Sequence, residues 1–123
     1  MTIKEFYDIT KSNYENAIKI YKDDNSLTHF VKMFKEDKST LELLEAFEQL
    51  NYEMMINKAH TIKTLSNDLG LTILYKNVSL LLDDLREDKS NIKDLMFNLT
   101  QTYNFILENI MKLDEIDYGN LVQ

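Results

Sequence analysis

The scarcity of turn-forming residues is the feature that most constrains this chain. Proline is absent and glycine occurs only at positions 70 and 119 of 123 residues. An all-β domain of this length needs many tight turns, and therefore more of both residues. Helix-start signals recur instead: hydroxyl-x-x-glutamate capping boxes begin at Thr2, Ser12 and Ser39. Further candidate N-caps stand at Asn51, Thr72 and Ser90. The sequence therefore predicts an all-α protein.

Apolar residues that recur at three- and four-residue steps predict seven helices. Their expected ranges are about 2–9, 13–22, 26–37, 40–50, 52–69, 73–87 and 91–113. Short polar connections make neighbouring helices antiparallel, so we expect the last four to form an up-down four-helix bundle. The two N-terminal helices are expected to cover one end of it through Phe6, Tyr7, Ile18 and Tyr21.

The length predicts one domain over 1–123. Within it we expect N-terminal helices over 1–22, the helical bundle over 26–113, and a fraying tail over 114–123 that has little to bury.

Composition excludes several classes of function. The net charge of −7 disfavours binding to nucleic acid, because an acidic surface repels phosphate backbones. The absence of cysteine excludes disulfides and thiolate metal sites, and two distant histidines form no recognisable zinc pattern. No signal-peptide pattern opens the chain and no apolar run is long enough to span a membrane. We therefore expect a cytoplasmic protein.

His60 lies in the predicted helix 52–69, whose apolar stripe can be located by geometry. At about 100° per residue, Leu69, Ile62 and Met55 fall roughly 180°, 200° and 220° from the direction of His60. The residues on the side of His60 are polar apart from Ile56; they are Glu53, Asn57, Lys63, Thr64 and Asn67. We predict that the imidazole projects into water from the middle of the helix.

The neighbours of this histidine admit two interpretations. An exposed histidine is most often an ordinary surface residue. An exposed imidazole is also largely neutral at neutral pH, and therefore nucleophilic, and Lys63 lies three residues on along the same face. This pair suits capture of a phosphoryl group, because one nitrogen attacks while the ammonium offsets the charge of the oxygens. The spacing alone leaves both interpretations open.

Residues 59–70, AHTIKTLSNDLG, resemble the core motif of histidine-containing phosphotransfer (HPt) domains. In that motif a histidine is followed by any residue, leucine or isoleucine, lysine and glycine, and later by a hydrophobic–glycine pair. The chain matches it at His60, Ile62, Lys63, Leu69 and Gly70. The segments 2–7 (TIKEFY), 30–34 (FVKMF) and 71–75 (LTILY) also resemble small stand-alone bacterial members, so the similarity covers nearly the whole chain.

The resemblance implies a phosphorelay role in a two-component regulatory system. HPt domains are four-helix bundles whose exposed histidine accepts a phosphoryl group from an aspartate of a response-regulator receiver domain and passes it to another receiver. By this resemblance His60 is the residue that is phosphorylated, with Nε2, the ring nitrogen that projects farther out, as the expected acceptor, and Lys63 stabilises charge.

The resemblance also indicates the partners and the cofactor requirement. Receiver domains or a hybrid histidine kinase are the expected partners. The receiver supplies Mg²⁺, so no cofactor is expected in this chain, and the sequence has no glycine-rich phosphate loop for ATP. The protein would be a phosphocarrier rather than a true enzyme.

One position departs from the HPt motif, because Thr64 stands where the family usually has glycine. Its side chain lies one turn from His60 on the same face. A β-branched residue there narrows the space for an incoming receiver loop, whereas its hydroxyl could instead donate to a phosphoryl oxygen. The alternative function is a module of the same fold that docks receivers or other signalling partners without being phosphorylated.

We predict a partner-docking face around the histidine, because an interface centre needs some desolvated surface. Its apolar anchors are Ile56 and Leu71, and its polar members are Asn57, Thr64 and Asn67. His29, the second histidine, has apolar neighbours on the chain and is expected to be a partly buried structural residue.

Overall fold

The structure is a computed structural model that describes residues 1–115. Within that range seven helices and no strands are present: α1 (Ile3–Ile9), α2 (Tyr14–Tyr21), α3 (Asp24–Phe34), α4 (Ser39–Glu48), α5 (Tyr52–Asp68), α6 (Thr72–Arg86) and α7 (Ile92–Ile110). The all-α prediction is confirmed for these residues. No helix among them is long and apolar enough to cross a membrane.

Two of the predicted helix starts are confirmed. The Thr2 hydroxyl accepts the Glu5 N–H at 3.2 Å while the Glu5 carboxylate accepts the Thr2 N–H at 3.1 Å, which completes a capping box. The Asn51 side chain accepts the Met54 N–H at 3.1 Å and caps α5. These contacts satisfy backbone donors that the first helical turn leaves without partners.

Four other predicted caps are wrong, because a neighbouring residue occupies the N-cap position. Asn13 rather than Ser12 caps α2, and α4 begins after Lys38, so that Ser39 is its first helical residue. Leu71 and Asn91 precede α6 and α7 in place of Thr72 and Ser90. The start of α3 lies two residues before the predicted one, because the Asp23 side chain accepts the Ser26 N–H at 2.8 Å.

Helix α5 packs beside α4 on one side and α6 on the other, and α6 packs against α7. An ion pair of 3.2 Å between Lys58 and Glu42 joins α5 to α4, and the Asn77 amide donates to the Thr102 hydroxyl between α6 and α7. These side-chain contacts link helices that are neighbours in the chain and are connected by short segments. The four-helix bundle itself stays a prediction.

The core contains the apolar stripe predicted for the last helix. Ile92, Met96, Leu99, Tyr103, Ile106 and Ile110 are buried, and Leu113 is buried although it follows the end of α7. Leu95 is partly buried at the edge of the stripe. The ring of Phe34 in α3 packs edge-on against Tyr103, with 6.0 Å between centroids, which brings α3 to α7.

The N-terminal helices hold the end of α5. Phe6 and Tyr7 are buried as predicted, while Ile18 and Tyr21 are partly buried against the core. The Tyr7 hydroxyl donates to the Leu69 carbonyl, and burial raises the pKa of this phenol above its usual value, so it remains a donor.

Gly70 adds a second contact between the N-terminal segment and the end of α5. Its carbonyl accepts the Asn13 N–H at 2.8 Å, and its φ of +67° places it in the left-handed region. A Cβ at this position would lie 2.5 Å from the Asn13 carbonyl oxygen. Both the backbone conformation and the available space therefore favour glycine.

The predicted fraying tail begins with an ordered contact. The Asp114 carboxylate lies 2.6 Å from the Met1 ammonium, and the Asp114 N–H donates to the Met1 carbonyl at 2.8 Å. The rest of the predicted tail, from residue 116 onward, lies outside the described residues.

Replacement of Gly70 tests the importance of its close contact with Asn13. Gly70→Ala should lower the free energy of unfolding by about 2–4 kcal/mol, because it adds left-handed strain to a clash with Asn13. Gly70→Asn is the matched control, since asparagine retains the Cβ but tolerates a positive φ; it should lose about 1 kcal/mol less. Urea unfolding measures both losses. A loss below about 1 kcal/mol for the alanine variant would contradict the proposed constraint.

Candidate functional site

His60 is exposed near the middle of α5, as predicted. The opposite face of the helix buries Met55, Ala59, Ile62 and Ser66 against the neighbouring helices. The backbone around His60 is regular helix, so the buried face fixes the direction in which the imidazole projects. The prediction that His60 lies opposite the core is confirmed.

The guanidinium of Arg86 contacts this imidazole. Its Nη2 atom forms a hydrogen bond with Nε2 of His60, and Arg86 comes from the last turn of α6. Because α6 packs beside α5, the long side chain of Arg86 at the end of α6 reaches His60 near the middle of α5. Sequence reasoning missed this residue because the contact joins two helices across 26 positions. One signal was available: Arg86 is the only arginine in the chain.

Lys63 lies on the same helix face and is partly buried. Its ammonium lies 5.6 Å from the ring centroid of Tyr75 in α6, within the range of a cation–π contact. This contact directs the lysine side chain toward α6. The ammonium carries three N–H donors, and it takes part in none of the ion pairs of residues 1–115.

Thr64 is exposed one turn beyond His60. Its hydroxyl donates to the His60 carbonyl at 3.2 Å, within its own helix. This local bond is common for helical threonines, and it occupies the hydroxyl hydrogen that a phosphoryl oxygen would need. The contact favours a steric role for Thr64 over a hydroxyl-donor role.

Only some of the residues predicted for the docking face lie at the surface. Asn57 and Asn67 are exposed and Ile56 is partly buried, which agrees with their expected positions. Leu71 is wrong as a surface anchor, because only 1% of it is exposed. The left-handed turn at Gly70 directs the chain inward, so the leucine that precedes α6 enters the core.

Two tyrosines, one at the start of α5 and one in α6, supply apolar surface that the sequence did not indicate. Tyr75 is 37% exposed beneath Lys63, and Tyr52 is 36% exposed beneath Lys89, whose ammonium lies 5.5 Å from the ring centroid. Both rings therefore combine an aromatic face with a neighbouring cation. Such rings are common at the centres of protein interfaces.

His29 is exposed, so the expectation of a partly buried structural histidine is wrong. Its ring contacts Phe30 edge-on, with 5.3 Å between centroids, but Phe30 is itself exposed and stacks on Tyr21. Apolar neighbours along the chain did not imply burial here, because α3 turns His29 and Phe30 to its outer side while Val31 is buried in the core. Both histidines of the chain are therefore accessible to reagents.

Acidic residues contribute structure rather than a metal site in the part of the chain that the structure describes. No group of three or more histidines and carboxylates in residues 1–115 is placed to hold a metal ion. Asp84 is buried, and its carboxylate accepts the Asn91 N–H at 3.1 Å at the start of α7. It thereby orders the connection that follows Arg86.

Comparison with protein-family models, with curated proteins and with solved structures finds no match for this chain.

Proposed function

We propose that the protein is a histidine phosphotransfer intermediate of a phosphorelay. The observation that carries this proposal is the exposed imidazole of His60, whose Nε2 faces the Arg86 guanidinium while Lys63 lies on the same helix face. A nucleophilic nitrogen beside one cation, with a second cationic residue on the same helix face, suits acceptance of a single phosphoryl group, because positive charge offsets the charge on its oxygens. The resemblance of residues 59–70 to the HPt motif supports the same function.

The proposed scaffold is an antiparallel bundle of α4, α5, α6 and α7, within one domain. The packing of α5 beside α4 and α6, and of α6 against α7, supports this arrangement. A bundle presents the exposed face of each helix as a stiff surface, so His60 would be held for an incoming partner without a mobile loop.

The proposed reaction is an in-line transfer between a receiver aspartate and His60. The lone pair of Nε2 forms the N–P bond as the P–O bond to the aspartyl carboxylate breaks, and the bonding electrons leave with the carboxylate. The ring proton on Nδ1 can then pass to water. The reverse sequence of bonds returns the group to another receiver. The chain contributes positioning and electrostatic stabilisation, and the receiver contributes Mg²⁺.

The proposed partners are receiver domains, free or joined to a hybrid histidine kinase, in the cytoplasm. Ile56 and the exposed part of Tyr75 would provide the apolar centre of the docking face, with Asn57 and Asn67 in its polar rim.

His60 should be the only residue that accepts a phosphoryl group from a receiver. The test incubates the protein with a panel of receivers phosphorylated on aspartate in the presence of Mg²⁺. Mass spectrometry under alkaline conditions, where phosphohistidine survives, then locates the label. His60→Gln should abolish labelling. His29→Gln is the matched control, since both histidines are exposed, and it should behave like the wild type.

Labelling of His60→Gln would overturn the proposal. If phosphorylated receivers bind the wild type with micromolar or tighter affinity while none transfers a phosphoryl group, the alternative function, a docking module without transfer, is correct instead.

Lys63→Ala should slow transfer by roughly ten- to a thousandfold, because it removes a charge-assisted contact of about 1.5–3 kcal/mol together with its positioning. Its fold should persist, since a surface lysine contributes little stability. Lys93→Ala, which removes an exposed lysine from α7, is the control and should transfer normally. Rapid-quench transfer rates measure the effect, and equal rates in Lys63→Ala and wild type would refute the assigned role.

Thr64→Gly should accelerate transfer if the side chain of Thr64 restricts the approach of a receiver. Thr64→Val keeps the shape without the hydroxyl and should transfer like the wild type, because that hydroxyl bonds to the His60 carbonyl. The glycine variant should also lose about 1 kcal/mol or less of stability from poor helix propensity.

Thr61 provides the matched control for this series. It is exposed on the same helix, and its hydroxyl also bonds within the helix, to the Asn57 carbonyl at 3.4 Å. Thr61→Gly should reproduce the loss of stability without faster transfer. Slow transfer in both Thr64→Gly and Thr64→Val would show that the hydroxyl assists the reaction and that the steric interpretation is wrong.

A further inference from the structure

The hydrogen bond between Arg86 and His60 determines which ring nitrogen carries the proton. A guanidinium has only N–H donors and stays charged in proteins. Its Nη2 contacts Nε2 of His60, so Nε2 must accept this bond with its lone pair. The single proton of a neutral imidazole then lies on Nδ1. Neutral histidine in water prefers the other tautomer, with the proton on Nε2.

The backbone that follows Arg86 is held by several hydrogen bonds. Arg86 ends α6, and the backbone beyond it is tied back to Asp84 by N–H bonds from Glu87 at 3.2 Å and Lys89 at 3.0 Å. The buried Asp84 carboxylate also holds the Asn91 N–H. This connection places the root of the Arg86 side chain beside α5.

The Arg86 guanidinium forms no ion pair with a carboxylate of residues 1–115. The four ion pairs among these residues involve the Met1 ammonium, Lys32, Lys35 and Lys58. An arginine on an acidic protein of net charge −7 would ordinarily find a carboxylate partner. Arg86 instead directs one of its donors, on Nη2, at an imidazole nitrogen.

We propose that Arg86 is a positioning residue that holds His60 in the Nδ1–H tautomer and thereby presents the lone pair of Nε2 as the nucleophile. When phosphorus approaches, the same lone pair forms the N–P bond, and the displaced N–H groups of the guanidinium face the phosphoryl oxygens. A planar group with five donors can make both contacts in succession with little movement. This role rests on the proposed function for the identity of the group that His60 accepts.

The tautomer is measured directly on ¹⁵N-labelled protein by long-range ¹H–¹⁵N correlation at a pH where both imidazoles are neutral. In the wild type, Nδ1–H should predominate for His60, while exposed His29 should show the ordinary Nε2–H preference and serve as an internal reference. Arg86→Met removes all donors at similar length and should return His60 to the pattern of His29. Arg86→Lys should retain part of the effect.

A second measurement uses phosphoramidate, a small phosphoryl donor that needs no receiver. Nε2 attacks phosphorus, the P–N bond of the donor breaks, and ammonia leaves. Arg86→Met should slow labelling of His60 by about tenfold, the equivalent of one charge-assisted hydrogen bond, with no change at His29. Lys89→Met, which removes a neighbouring cation that lies over Tyr52, should leave labelling of His60 unchanged.

The proposal is overturned if wild-type His60 prefers Nε2–H, or if Arg86→Met changes neither the tautomer nor the labelling rate. A failure of the phosphorelay function looks different. In that case the tautomer of His60 would still depend on Arg86, while no phosphorylated receiver would transfer its group to His60.

Discussion

The packing of α5 between α4 and α6 is the interaction on which the site depends. Burial of Met55, Ala59 and Ile62 fixes the rotation of α5 about its own axis. Each residue turns the helix by about 100°, so any rotation large enough to bury His60 would expose part of this apolar stripe. The core therefore sets the direction of the imidazole, although no core residue within 1–115 makes a hydrogen bond to it.

Backbone geometry at the helix connections provides the second constraint. Gly70 is left-handed, and so are Lys11, Lys22, Leu50 and Lys89, each of which lies between two helices. A left-handed non-glycine residue costs about 1–2 kcal/mol, so packing between the helices must offset this strain. Only at Gly70 does a neighbouring backbone also exclude a side chain. The contact between Gly70 and Asn13 connects the N-terminal helices to the end of α5.

Local patterns explain which features could be predicted from the sequence. Apolar periodicity located all seven helices and placed His60 on the outer face, because both depend on neighbours within a few turns. Helix starts were less predictable, since Ser12 and Asn13 are both suitable caps and only the folded backbone selects one. Leu71 was wrongly placed at the surface and Arg86 was missed, because the surroundings of both residues come from distant segments. Periodicity contains no information about contacts between helices.

The charge distribution affects long polyanions and single phosphoryl groups differently. The net charge of −7 opposes long polyanions, which need many phosphate contacts over an extended surface. A single phosphoryl group at His60 would experience chiefly the nearest charges, because physiological salt screens exposed charges beyond about 8 Å. Near His60 those charges include Arg86, while Lys63 lies on the same helix face. Under the proposed function, an acidic chain whose one arginine contacts His60 would accept a compact anion there without becoming a general phosphate binder.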